Sequence, residues 1–261
     1  MVVCISYRLG ALGFLYEPDR GIQNLGIADQ TVALQWIRRY IVQFGGDPQR
    51  ITVAGQSAGA FSIACLIASL QENLFQKAVM MSMPFLPIPA RLMTRVDRLW
   101  RKQLNADPAT ASVHKLVRAQ LSAGRLSHLP LPFAPCGYHP FRPQRIMPGL
   151  REALVMSTAD DAYPFCPSPS LVPLVTQVVF NHPIQGYSDR LKRLGVAVQQ
   201  DTLRWLHGTS EFGDAHGIDF TLLFSQWQHW KDLPLYRTVS EEEYNRHARR
   251  LRQRILSLVK G

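Results

Sequence analysis

The spacing of apolar positions in the first 82 residues switches repeatedly between a strand-like and a helix-like period. Val2-Val3-Cys4-Ile5-Ser6-Tyr7 is a nearly unbroken apolar run and predicts a buried strand. A Gly-punctuated connection, Arg8 to Leu15, follows it. From about Gly26 to Phe44 the apolar residues Ile27, Val32, Leu34, Ile37, Ile41 and Phe44 recur at helical spacing, with Asp29 in the first turn. Gly45-Gly46-Asp47-Pro48 supplies a stop, Gly at the C-cap and Pro soon after. The β-branched run Ile51-Thr52-Val53-Ala54 predicts a strand, Ala60 to Leu70 a helix, and Lys77 to Ser82 a further strand. Strand, helix, strand, helix, strand is the order of a parallel sheet covered by helices.

The pattern then changes. Ten of the 18 prolines fall between Pro84 and Pro148, around two predicted helices, Met93 to Leu104 and Ala109 to Gln120. Residues 84–150 read as a Pro-rich, cap-like excursion over the sheet. Strand character resumes at Ala153-Leu154-Val155-Met156-Ser157 and again at Thr202-Leu203-Arg204-Trp205-Leu206. The last helix begins at a capping box, Ser240 with Glu243, and carries an apolar stripe of Tyr244, Ala248, Leu251, Ile255 and Val259. We expect residues 1–261 to form a single, partial α/β domain.

Composition narrows the reading without redirecting it. In 261 residues, 46% hydrophobic and 18% charged positions describe a folded globular chain. The net charge of +10 raises nucleic-acid binding. The arginines are scattered, however, apart from Arg246, Arg249, Arg250, Arg252 and Arg254, and no finger spacing or aromatic interleaving accompanies them; a solvated helix face is the plainer account. Cys4 and Cys65 lie in apolar runs and are expected buried, whereas Cys136 and Cys166 sit in loop-like sequence where pairing is open. None of the four has metal-ligand spacing. No run approaches a membrane span, and no leader pattern precedes the opening run.

The candidate chemistry centres on Gly55-Gln56-Ser57-Ala58-Gly59, set between a predicted strand and a predicted helix. In that context G-x-S-x-G forms a sharp turn that lifts the serine clear of the sheet, while the first N–H groups of the next helix face whatever it attacks. A serine needs a base within reach, and the base needs a carboxylate to fix its tautomer. The chain offers Ser57, then Asp160-Asp161 just past a strand, then His216 in the loop Gly213-Asp214-Ala215-His216-Gly217, in the order Ser, acid, His. Loops at the carboxyl ends of parallel strands share one rim, where the three can meet. Each has a plainer alternative. Ser57 is a suitable helix N-cap, and the aspartates suit a turn. The other histidines lie in polar or helical sequence (His114, His128, His247) or beside Pro or Gly in loops (His139, His182, His207).

Several longer motifs add a resemblance. Tyr7-Arg8-Leu9-Gly10-Ala11-Leu12-Gly13-Phe14-Leu15, Asn24-Leu25-Gly26-Ile27-Ala28-Asp29-Gln30, Ala33-Leu34-Gln35-Trp36-Ile37, Phe44-Gly45-Gly46-Asp47-Pro48, the elbow itself and Leu74 to Ser82 stand in order. Together they make the stretch from Val2 to Ser82 resemble the type-B carboxylesterase/cholinesterase family of α/β-hydrolases. The resemblance implies an α/β-hydrolase fold, a mostly parallel sheet flanked by helices. It also implies a small-molecule carboxylic-ester substrate, with no metal or organic cofactor and no nucleic-acid partner. Met156 to Ala162 resembles the family's acid segment, in which the second carboxylate is catalytic; this implies Asp161, an Asp where Glu is usual. The loop around His216 resembles the family's His loop, and Gln56 stands where Glu is more common. Ala58 N–H is the implied oxyanion donor. The family's His-Gly-Gly oxyanion loop and first strands lie in a portion that would precede residue 1, so the chain reads as an N-terminally truncated member. The reading left beside the esterase is a catalytically impaired fragment or pseudoenzyme serving as a binding module.

Overall fold

The computed structural model describes residues 1–85, 89–129, 132–137, 145–206, 210–224 and 226–261. His139, His207 and parts of the Pro-rich stretch lie outside the described residues. The chain divides into two compact units, Met1–Pro48 with Leu86–His139 and Gln49–Phe85 with Pro140–Gly261.

The second unit holds a four-stranded parallel sheet in the order Thr52–Gln56, Lys77–Met81, Glu152–Thr158, Ala197–Leu203. The two central strands are buried almost throughout, so they read as apolar runs; the outer two are half-buried. Val79, Met81, Leu154 and Met156 lie in one core with Tyr244, Ala248, Leu251 and Leu258 of the last helix, Glu241–Lys260. Alternation along the strands turns Ala78, Met80, Ala153 and Val155, all buried, to the other face. The helix Ala58–Ser69 packs on Thr52–Gln56 and Lys77–Met81, and His182–Arg193 packs on Glu152–Thr158 and Ala197–Leu203.

The helix signals resolve at their caps. Ser240 Oγ accepts from Glu243 N at 3.2 Å and starts the last helix where the capping box predicts, although Leu258 takes the buried place expected of Val259. Ser112 Oγ accepts from Lys115 N, which moves the predicted Ala109 to Gln120 helix to Val113–Ser127. The strand expected at Thr202 to Leu206 is Ala197–Leu203, an edge strand whose polar residues hide it from periodicity. A helical stretch from Val172 to Arg193 carries a π-turn at Gln177–Asn181. Pro183 has no N–H to give Val179 O, and Phe85 N donates to that carbonyl instead at 2.8 Å.

The first unit contains helices Leu25–Tyr40, Ala90–Leu104 and Val113–Ser127, the latter two sharing a small core of Trp100, Leu104, Ala119 and Ala123 with Ala11. Its loops are tied to helices by polar side chains. Arg8 Nε donates to Asp29 Oδ2 at 2.7 Å, and the guanidinium holds the Asp29 carboxyl down to about 2. Asn24 exchanges two hydrogen bonds with the Cys136 backbone at 2.7 and 2.8 Å. Gly26 is required by close approach, since a Cβ there would lie 2.5 Å from the Phe14 ring and 2.7 Å from Arg8 O.

One predicted element is absent. Val2 to Tyr7 is not a strand, Val2 is 85% exposed, and Cys4 is exposed where a buried thiol was expected. Strand propensity forms a strand only against a neighbouring ladder, and none of the described residues supplies one. Cys65 is buried as expected; Cys136 and Cys166 are both free thiols. Among the described residues no helix is long and apolar enough to cross a membrane, and no cluster of three metal-ligating side chains occurs.

Candidate active site

Ser57 ends the strand Thr52–Gln56 with φ 55° and ψ −118°, a conformation that costs a non-glycine residue about 1–3 kcal/mol. Its N–H stays on the ladder, donating to Met81 O at 2.8 Å. The helix begins at Ala58, whose N–H belongs to the first turn and has no partner within the helix. Gly55 is indispensable to this turn, because a Cβ there would meet Gly59 C at 2.6 Å and O at 2.7 Å. Gly59 is different: a Cβ built on it meets nothing within 4 Å, so its part is the backbone that Gly55 lets approach. Ser57 stands at the helix N-cap, but its side chain makes no cap hydrogen bond.

The acid and the histidine arrive from the next strand ends. Past Leu203, the chain at Asp214 and Ala215 rejoins the sheet beside Asp160, with Asp160 N donating to Asp214 O at 3.2 Å. Two buried carboxylates fasten this loop. Asp214 accepts from Trp205 N and Leu206 N at 2.9 and 2.8 Å, and Asp160 Oδ2 accepts from Asp214 N at 2.9 Å. Asp160 is therefore occupied with the loop. The adjacent Asp161 is fully buried; its Oδ2 accepts from Thr158 N at 2.8 Å and its Oδ1 lies 2.9 Å from His216 Nδ1. The Phe165 and Phe180 rings sit against the imidazole, with centroids at 5.2 and 5.6 Å.

The other imidazole nitrogen, Nε2, lies 3.2 Å from Gln56 Nε2, on the residue before the serine. Among the described residues no hydrogen bond joins Ser57 Oγ to His216. The elbow, Asp161 and His216 thus gather at one sheet rim, and the contact that closes the group runs through Gln56. A second carboxylate, Asp219, is also buried nearby. Burial first, then the Asp161 charge, push it up to about 6, against the Phe220 N–H, the His216 charge and the Ser82 hydroxyl. Sequence reasoning missed Asp219 and Ser82. The available signal was an acid three residues after His216 within the apolar helix Ile218–Phe224.

A strand–turn–helix serine, a buried Asp–His pair and a parallel helix-covered sheet define the α/β-hydrolase fold class. Solved structures agree. A thermophilic PNB esterase superposes with a TM-score of 0.81 at 21% identity, covering 97% of this chain and 63% of that one. A Geobacillus stearothermophilus carboxylesterase gives 0.79 at 20%, covering 97% and 64%. The Carboxylesterase family model matches residues 1–102. A probable N-octanoylanthranilate hydrolase of Rhodococcus erythropolis is 32% identical over 97% of this chain and 63% of its own length. The para-nitrobenzyl esterase of Bacillus subtilis is 49% identical over 31% of this chain and 18% of its own. The chain is thus similar to the carboxylesterase family over residues 1–102 and to a hydrolase along nearly its whole length. It spans 63% of the length of the hydrolase it matches end to end.

Proposed function

We propose that the chain carries the machinery of carboxylic-ester hydrolysis, with Ser57 as nucleophile, His216 as general base and Asp161 as its partner. The observation that supports this best is His216 Nδ1 at 2.9 Å from a carboxylate with no exposed surface. A buried anion there favours the tautomer with its proton on Nδ1, leaving Nε2 as the base, and stabilises the imidazolium that forms. Ser57 Oγ attacks the ester carbonyl as its proton passes to Nε2. The tetrahedral oxyanion takes the Ala58 N–H. His216 then protonates the departing alcohol, and water, activated by the same nitrogen, releases the acid from Ser57. The relatives named as esterases and hydrolases support this reaction class.

Fluorophosphonate labelling of the purified chain, with circular dichroism as the folding control, tests the assignment. The expected result is a covalent adduct on Ser57 that Ser57→Ala abolishes. A folded chain that takes no label would overturn it in favour of the binding-module reading.

A further inference from the structure

The elbow contact extends that reading to a residue beside the nucleophile. We propose that Gln56 is a positioning residue that holds His216 in a resting state, its amide occupying the Nε2 lone pair that Ser57 must use. Asp161 Oδ1 faces Nδ1 at 2.9 Å, so Nδ1 carries a proton. In neutral His216 this leaves Nε2 as an acceptor, and the group 3.2 Å from it must donate. The Gln56 amide nitrogen does so.

Acylation therefore begins with an exchange: the Gln56 N–H···Nε2 contact breaks and the Ser57 O–H···Nε2 contact forms before the proton moves. An amide suits both protonation states of the ring. Its N–H₂ donates to neutral Nε2, and after a flip its oxygen accepts from the imidazolium. A carboxylate at this position accepts only and favours the protonated ring. The charged groups facing His216 are Asp161 in direct contact and Asp219, whose carboxyl interacts with both of them; Gln56 is uncharged, and Phe165 and Phe180 complete the surround.

The test pairs two readouts on the wild-type chain, Gln56→Leu and Gln56→Glu. In ¹⁵N-histidine-labelled protein, with His216→Ala to assign the signal, Nε2 reports its hydrogen bond whether or not the chain turns over. Gln56→Leu is expected to shift the Nε2 resonance toward that of an unbonded neutral nitrogen. Gln56→Glu, which can only accept, should shift the Nε2 resonance toward that of a protonated ring nitrogen. At pH 8, Gln56→Leu should speed fluorophosphonate labelling about 2- to 10-fold by removing the competitor. An Nε2 signal unmoved by Gln56→Leu, or slower labelling in a folded variant, overturns the proposal. Absence of label on wild-type protein counts against the Ser57 assignment, while the Nε2 signal still decides the role of Gln56.

Discussion

Both compact units bury a pair of carboxylates beside a nitrogen-bearing side chain, and the two clusters are built for different ends. In the first unit Glu17 and Asp97 surround Arg101, which bonds Glu17 directly and lies 3.6 Å from Asp97, while Arg20 reaches Glu17 at 3.1 Å. Burial, then the Glu17 charge and hydrogen bond, raise the Asp97 carboxyl. In the second unit Asp161 and Asp219 surround His216. Arginine keeps its charge at every accessible pH, so the first cluster is a fixed tie between the antiparallel strand pair Tyr16–Glu17 and Ile22–Gln23 and the helix Ala90–Leu104. Imidazole gains and loses its charge near neutrality, and here its second nitrogen faces the strand-ending turn that presents Ser57. The partner's ability to titrate, more than the buried acids, separates a tie from a site.

The contrast can be broken most sharply at Asp161. Asp161→Asn should lower the Ser57 labelling rate about 10³- to 10⁴-fold by losing the tautomer, whereas Asp160→Asn, with an acid that holds the loop, should leave most of it. Stopped-flow labelling of the two variants, matched by circular dichroism, ranks them; equal losses would remove the distinction between the two acids. Next in size, Arg101→Ala should cost about 2–3 kcal/mol in urea denaturation, because it strands Asp97, at about 8% exposure, and leaves Glu17, at about 9%, with Arg20 alone.

Asp219 provides a pH test. Its carboxyl sits at about 6 in the folded chain against a usual 3.8. The native state therefore holds more protons than the unfolded state between those values, and stability falls as pH rises through roughly 4 to 6. Asp219→Asn should flatten that fall, by at most about 3 kcal/mol, in urea midpoints measured from pH 4 to 8. The smallest effect belongs to Arg8→Ala. That pair is half-exposed on the arginine side, so solvent screening limits its loss to within about 1 kcal/mol at low salt, and less at high salt. A loss as large as that of Arg101→Ala would show that burial does not set the scale.

Apolar runs illustrate how far periodicity reaches. Lys77 to Ser82 and Ala153 to Ser157 were legible as strands and are the buried centre of the sheet. Val2 to Tyr7 carries the same signal and joins no ladder. Ala197–Leu203 carries a weaker one and is a strand, because Glu152–Thr158 presents seven paired positions to it. The serine was legible through its glycine, since Gly55 answers a backbone-to-backbone clash that any Cβ would create. The histidine was legible by its order along the chain after Ser57 and the acid pair, and by its Gly-flanked loop past a strand, which resembles the family's His loop.

The sequence by itself determined most of the order of strands and helices, the glycine-dependent turn at Ser57 and the succession of serine, acid pair and histidine, because these rest on short-range periodicity, caps and glycine geometry. Only the tertiary structure decided that Asp160 fastens a loop while Asp161 meets His216, and that Gln56 occupies the nitrogen expected to face Ser57. Neighbouring carboxylates have the same chemistry in sequence. The direction each faces at the end of a parallel strand gives them different partners, and that direction is set by strands distant along the chain.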